Sequence, residues 1–368
     1  MKRTSFRTVA APATAALVLG MALAGCAAGN EKSADASSSG GPKLSGTLNG
    51  AGSSAQEAAQ GAWTSGFQTT NSGVTVNYDP VGSSGGREQF LAGGVDFAGS
   101  DSALSTDELA SSKKVCNGQT ALEVPAYISP VALVYNLDGV DKLQLSAKTT
   151  ADIFNGKIKT WDDAAIKAEN PDAKLPSDRI VPVHRSDGSG TTDNLTQWLS
   201  KAGEGAWTSE PGGDWPLKGG EGAEGTSGVI EAVKSGKGTI GYADHSQAGD
   251  LSVASIKVGD AYVAPSAEGA TKVVDLSPKA TGRAANDMAI DIDRTTTEPG
   301  AYPLTLASYV IACPTYADKN KADLVKGYLT YLLGTDGQAA AAKTAGSAPL
   351  PSKLGGDAVA VADQITAK

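Results

Sequence analysis

The segment His184-Arg185-Ser186-Asp187-Gly188-Ser189-Gly190-Thr191-Thr192 follows an apolar run at 180–183 that reads as a strand. It precedes Leu195, Trp198, Leu199 and Ala202, which recur at helical spacing. A glycine-, serine- and threonine-rich turn between a strand and a helix leaves backbone N–H groups without intrahelical partners, at the positive end of the helix dipole. This turn also carries an arginine, a carboxylate and several hydroxyls. Such a set can surround a small tetrahedral anion, so the segment predicts an oxyanion-binding loop in an α/β protein.

Three further turns share the design. The strand-like residues 44–49 run into Gly50-Ala51-Gly52-Ser53-Ser54, after which Ala55, Ala58, Ala59, Ala62, Trp63 and Phe67 lie on one helical face. Ser54 with Glu57 has the form of a capping box and places the helix start there. Residues 74–78 alternate as a strand and lead through Gly82-Ser83-Ser84-Gly85-Gly86 into Arg87-Glu88-Gln89-Phe90-Leu91. Arg87 reads first as a solvated surface residue, with an anion or a neighbouring carboxylate as alternative partners. Val95-Asp96-Phe97-Ala98-Gly99-Ser100-Asp101 is a third strand-to-loop edge, followed by a second capping-box pattern at Ser105 and Glu108. Downstream, 124–136, 180–183, 239–242 and 301–311 read as strands. Residues 151–154, 162–167, 229–234 and 322–333 read as helices, and 207–225 as an irregular surface loop. Alternating strands and helices of this kind imply α/β layers.

Other chemistries are less well supported. Gly50-x-Gly52-x-x-Ala55 fits the loose dinucleotide fingerprint, but no acidic residue follows at the required distance, so no nicotinamide or flavin cofactor is expected. Gly82-x-Ser84-x-Gly86 fits a hydrolase nucleophile elbow, which would need His184 or His245 as base. His184 abuts Arg185, and His245 lies in a loop-like context. With two histidines, no paired His/Cys spacing and no clustered aspartates, no metal is expected.

The N-terminus reads as an export signal. Lys2, Arg3 and Arg7 precede a short apolar region at 10–24, and Leu23-Ala24-Gly25-Cys26 resembles a bacterial lipobox with Cys26 as the acylated residue. Residues 1–25 are thus a lipoprotein signal peptide, and 26–43 a flexible tether to the outer face of the cytoplasmic membrane. Loss of 1–25 removes three positive charges and no negative ones, leaving 28 Lys+Arg against 40 Asp+Glu. This acidic balance argues against a nucleic-acid partner, and any anion site must work through local donors. Cys116 and Cys313 remain; in an exported chain the pair reads as a disulfide, with two separate thiols as the alternative.

Together the four turns, with Gly156-Lys157-Ile158-Lys159-Thr160-Trp161-Asp162-Asp163 and Gly238-Thr239-Ile240-Gly241-Tyr242, resemble the extracytoplasmic (PstS-type) phosphate-binding protein of the bacterial phosphate ABC importer. The resemblance spans about residue 45 to the C-terminal region. It implies a non-enzymatic monomer with a two-lobed venus-flytrap (type II) α/β fold and two crossovers. Lobe one would be 44–127 plus 296–368 and lobe two 128–295, with inorganic phosphate held between them for delivery to the membrane permease. Both cysteines would then fall in lobe one, one in each of its segments. The resemblance implies that phosphate meets Ser54 and the Ala55 N–H from the first turn, Ser83 from the second and Asp101 from the third. Arg185, Ser189, Gly190 and Thr191 would come from the far lobe, with Asp187 orienting Arg185. The family often has an aromatic residue at the position of Ala55. Asp101 would demand a proton from the ligand, which phosphate carries and sulfate at neutral pH does not. Arsenate, also protonated, is a rival ligand, and a secreted phosphatase or esterase using Ser84 is the rival function.

Overall fold

The computed structural model describes residues 44–368. The expected signal peptide, Cys26 and the tether lie outside the described residues. The chain begins β1 (Ser45–Gly52), α1 (Glu57–Thr70), β2 (Gly73–Asp79), α2 (Ser83–Leu91), β3 (Phe97–Ser100), α3 (Thr106–Ser112) and β4 (Leu122–Asn136). It continues through β5 (Gln144–Leu145), α4 (Ala147–Phe154), α5 (Ala164–Glu169), β6 (Val181–Arg185), α6 (Gly190–Ala202), β7 (Glu221–Ala223), α7 (Gly225–Ser235) and β8 (Thr239–Asp244). After a single 3-10 turn at His245–Gln247 come β9 (Ser252–Val253), β10 (Ser255–Val258), β11 (Ala261–Val263) and α8 (Ala267–Leu276). The last elements are β12 (Thr305–Ala312), β13 (Thr315–Tyr316), α9 (Lys319–Leu333), α10 (Thr335–Ala345), α11 (Ser352–Ala362) and β14 (Thr366–Ala367). Among these helices none is long and apolar enough to cross a membrane.

The main sheet runs β2-β1-β3-β12-β4-β8-β6-β7. β1 is parallel to both β2 and β3, and parallel neighbours require crossovers, supplied here by α1 and α2. The apolar face of α1 buries Ala59, Trp63 and Phe67. β4 is an unbroken buried run because both of its faces are covered. Its first part, Leu122 to Pro130, pairs with β12, and its second, Val131 to Asn136, pairs with β8. One strand therefore serves both halves of the sheet, the two lobes of the molecule. Strands β1 and β6 each end where a helix-opening turn begins, so their C-terminal ends face the same crevice from opposite sides.

Cys116 and Cys313 form a disulfide with Cα atoms 5.0 Å apart across 197 residues of sequence. It joins the end of α3 to the end of β12 beside buried Phe90, Ala98 and Ile311. Closing so long a loop removes entropy from the unfolded chain and contributes about 2–5 kcal/mol.

Three local expectations need correction. Ser54 and Glu57 do not form a capping box: the Ser53 hydroxyl accepts the amides of Ala55 and Gln56 at 3.1 and 3.3 Å, and the helix starts at Glu57 with Gln56 as its cap. Arg87 is not a solvated residue. Its Nε donates to Glu108 at 2.8 Å and its Nη1 to the Ser100 hydroxyl at 3.0 Å. The 207–225 region is largely exposed but not purely surface, because Trp207 is buried and the half-buried Trp215 stacks on the His184 ring at 4.8 Å. The capping box at Ser105 and Glu108 is formed as the sequence indicates.

Candidate functional site

All four glycine- and serine-rich turns meet at the crevice. The loop 185–191 ends β6 and opens α6, whose cap is the Ser189 hydroxyl accepting the Thr192 amide at 3.2 Å. Gly190, the first residue of α6, packs so tightly against the other half that a Cβ there would lie 2.5 Å from Ser83 Oγ and 2.6 Å from Asp101 Cβ. Gly82 is equally constrained, with φ of 87° and room for a Cβ only 2.5 Å from Asp187 Oδ2. Ser84 N–H donates to the Gly188 carbonyl at 3.1 Å. Ser54, Ser83, Asp101, Arg185, Ser189 and Thr191 are all buried, so an ion held among them would be withdrawn from water.

Arg185 is the cation of the site. Its Nε donates to Asp187 Oδ1 at 2.7 Å and its Nη2 to Asp187 Oδ2, a bidentate fork that fixes the guanidinium plane. The Gly225 amide also donates to Asp187, at 3.0 Å. Burial opposes ionisation of Asp187, but Arg185 and this amide outweigh it and hold the carboxyl below its usual range. With Nε and Nη2 engaged, Nη1 has no hydrogen-bond partner among the described residues. The Gly190 and Thr191 amides precede the first intrahelical bond of α6, and Thr191 Oγ1 is buried without a partner among the described residues. These are the donors an anion needs.

Asp101 is the opposing acceptor. Its Oδ1 receives the Ser53 hydroxyl at 2.6 Å and the Ser308 hydroxyl at 2.5 Å, while Oδ2 has Ser83 Oγ at a long 3.4 Å. The direction of the Ser308 bond is set from behind. Tyr328 donates to Gln60 Oε1, Gln60 donates to Gln56 Oε1, and Gln56 donates to Ser308 Oγ at 2.6 Å, leaving Ser308 only Asp101 to donate to. Burial pushes the Asp101 carboxyl up, against the pull of Ser308, Ser53 and the Arg185 charge. One cation faces two carboxylates, so an anion entering here would need amide and hydroxyl donors and, against an ionised Asp101, a proton of its own.

The first turn is arranged differently from expectation. Ser54 Oγ lies 2.9 Å from Thr226 Oγ1 and accepts the Thr226 amide at 3.2 Å, and the Ala55 N–H donates to Ser53 Oγ. Gln247 Nε2 donates to the Ser54 carbonyl at 2.8 Å. Ser53, Ser308, Gln56, Thr226 and Gln247 are thus parts of the site that sequence reasoning missed. Ser53 lies within the first turn and Gln56 directly after it; Ser308, Thr226 and Gln247 belong to distant segments without an anion-binding pattern. Ser84 has no hydrogen bond to either histidine among the described residues: its Oγ faces Arg87 Nη2 at 3.5 Å, while His184 Nδ1 bonds the Arg185 carbonyl.

A family model described as PBP superfamily domain matches residues 37–336. The chain is 35% identical to Phosphate-binding protein PstS 3 of Mycobacterium leprae, over 86% of this chain and 89% of that one. It is 39% identical to Phosphate-binding protein PstS 3 of Mycobacterium tuberculosis, over 78% of this chain and 79% of the other. Among solved structures, a high-affinity periplasmic phosphate-binding protein (PfluDING) bound with phosphate superposes with a TM-score of 0.70 at 25% identity, covering 86% of this chain and 93% of that one.

Proposed function

This chain belongs to the PstS-type phosphate-binding proteins of the PBP superfamily, and on that premise we propose that it binds inorganic phosphate between its lobes and delivers it to an ABC permease for import. The observation that carries the reading is the pairing of one fixed acceptor, Asp101 Oδ2, with the unused donors of Arg185, Gly190 and Thr191. The ligand set is Ser54, Ala55, Ser83, Asp101, Arg185, Ser189, Gly190 and Thr191, with Asp187 holding Arg185. For Ser54 and Ala55 this requires the first turn to share its Thr226 and Ser53 bonds with the ligand. Titration calorimetry on residues 44–368 tests the reading: phosphate is expected to bind one-to-one and sulfate to give no heat at the same concentrations. Hydrolysis of an aryl phosphate or ester by the same preparation would instead favour the Ser84 enzyme.

The lobe limits are part of the proposal. The change of partner along β4 at Pro130/Val131 supports a first crossing near residue 128. α8 packs Ala270, Val273 and Val274 against Ile128, Ala307 and Tyr309, which supports a return crossing nearer 265 than 295. Spin labels within one lobe should then keep their spacing when phosphate binds, while pairs across the lobes shorten. We also propose export and lipid anchoring through Cys26. Wild-type protein is expected in the membrane fraction and Cys26→Ser in the soluble fraction; equal membrane recovery of both would remove the anchor.

A further inference from the structure

Asn194 lies in the second turn of α6 and uses both ends of its amide against the opposite side of the crevice. Nδ2 donates to the Asp101 carbonyl at 2.8 Å, and to the Gly190 carbonyl of its own helix at 2.8 Å. Oδ1 accepts from Arg294 Nη2. Arg294 is anchored in turn: its Nη1 donates to the Pro303 carbonyl at 3.1 Å and to the Thr305 carbonyl, where β12 begins. Both side chains are buried, Asn194 to 3% and Arg294 to 2% exposure, so neither contact is a solvent-screened rim interaction.

The arrangement admits one orientation of the amide. With its oxygen on the guanidinium, the NH₂ faces two carbonyls; reversed, an oxygen would face those carbonyls and the NH₂ would face a cation. Arg294 therefore sets Asn194 to donate. A buried guanidinium is an expensive choice for filling space, since an apolar side chain of similar volume avoids its desolvation. Burial brings Arg294 down to about 10, which still leaves it charged at neutral pH. Its Nε–H has no acceptor among the described residues, a further cost that packing alone does not explain.

We propose that Asn194 and Arg294 are positioning residues that form a latch across the crevice. They hold the Asp101 loop against the first turn of α6 in the closed state and so set how long a bound anion is retained. This rests on the phosphate-binding reading. Asp101 belongs to the β3 side, Arg294 is tied to the start of β12, and Asn194 rides on α6 of the other lobe. Opening the lobes must break both bonds, whereas an anion approaching the open form meets neither. The latch should therefore act on release and leave capture nearly unchanged.

The test uses the purified mature protein, its Asn194→Asp, Asn194→Leu and Arg294→Lys variants, stopped-flow phosphate capture and release, and an inter-lobe spin-label distance. Asn194→Asp keeps an acceptor for Arg294 but sets a carboxylate oxygen against two carbonyls. It and Asn194→Leu are expected to speed release by about tenfold to a hundredfold. Capture rate, the phosphate-to-sulfate preference and anion-free thermal stability should stay close to wild type. Arg294→Lys, whose ammonium cannot serve both carbonyls and the amide in the same plane, is expected to speed release by about tenfold. With phosphate bound, each variant should populate longer inter-lobe distances. Release at the wild-type rate in both Asn194 variants overturns the latch and leaves the phosphate reading intact. So does faster release matched by an equal loss of capture rate and of anion-free stability, the mark of a merely structural role. A wild-type protein that takes up no phosphate overturns both.

Discussion

Replacing Arg185 by methionine is expected to weaken phosphate binding by about three orders of magnitude, the largest single loss available in the site. Two losses combine. The ligand loses a charge-assisted donor, and Asp187 loses its buried counter-ion and becomes a second anion beside the first. Truncating one partner of a desolvated, hydrogen-bonded charge contact costs about 2–5 kcal/mol of binding, and 1.4 kcal/mol corresponds to a factor of ten in affinity. Asp187→Asn, which keeps the cation and loosens its aim, should cost only about tenfold. The grip holds at neutral pH. Asp187 ionises below its usual range in the folded chain, so its contribution is present above the ordinary carboxylate range and is lost only as pH falls through the depressed value. Calorimetry showing Arg185→Met within tenfold of wild type would sink the assignment of Arg185 as the principal cation.

Much of the site was legible because its design is local. Gly50 to Ser54, Gly82 to Gly86, Gly99 to Asp101 and Arg185 to Thr191 each announce a strand-end turn by composition alone, and three of them open helices. What escaped is what chain reversal brings together. Ser308 reaches Asp101 across 207 residues of sequence, and Gln56 reaches Ser308 across 252. Arg87 looked solvated because its partner Glu108 is 21 residues away. The Ser53/Ser54 ambiguity has another origin: adjacent serines present the same pattern, and the backbone direction at the turn decides which one caps. α10 also carries little signal. Its buried positions are Gly337, Gln338, Ala341 and Ala345, small or polar residues that let it lie close to α1 without an apolar stripe.

Asp101→Asn is the sharper test of how the site chooses its ligand. Asp101 Oδ1 is occupied by the hydroxyls of Ser53 and Ser308, and the Ser308 proton is directed there by the Tyr328–Gln60–Gln56 chain. An asparagine must therefore place its carbonyl oxygen at Oδ1 and its NH₂ at Oδ2. The ligand-facing group changes from a pure acceptor to a donor, with no freedom to flip back. In the wild type, sulfate at neutral pH has no proton to offer Oδ2, and two acceptors in contact cost at least the 1–3 kcal/mol of an unsatisfied buried group. The variant removes that penalty. Its preference for phosphate over sulfate should fall by about tenfold or more, while phosphate affinity itself falls by less, because phosphate can turn its proton aside and accept from the amide. The pH response provides a second reading. Burial raises the Asp101 carboxyl, so acidifying wild-type protein through that raised range protonates Oδ2 and lets sulfate in, whereas Asp101→Asn should show no such step. Unchanged selectivity in Asp101→Asn, measured by competition at neutral pH, would move the choice of ligand away from Asp101 and onto the donors of the 185–191 loop.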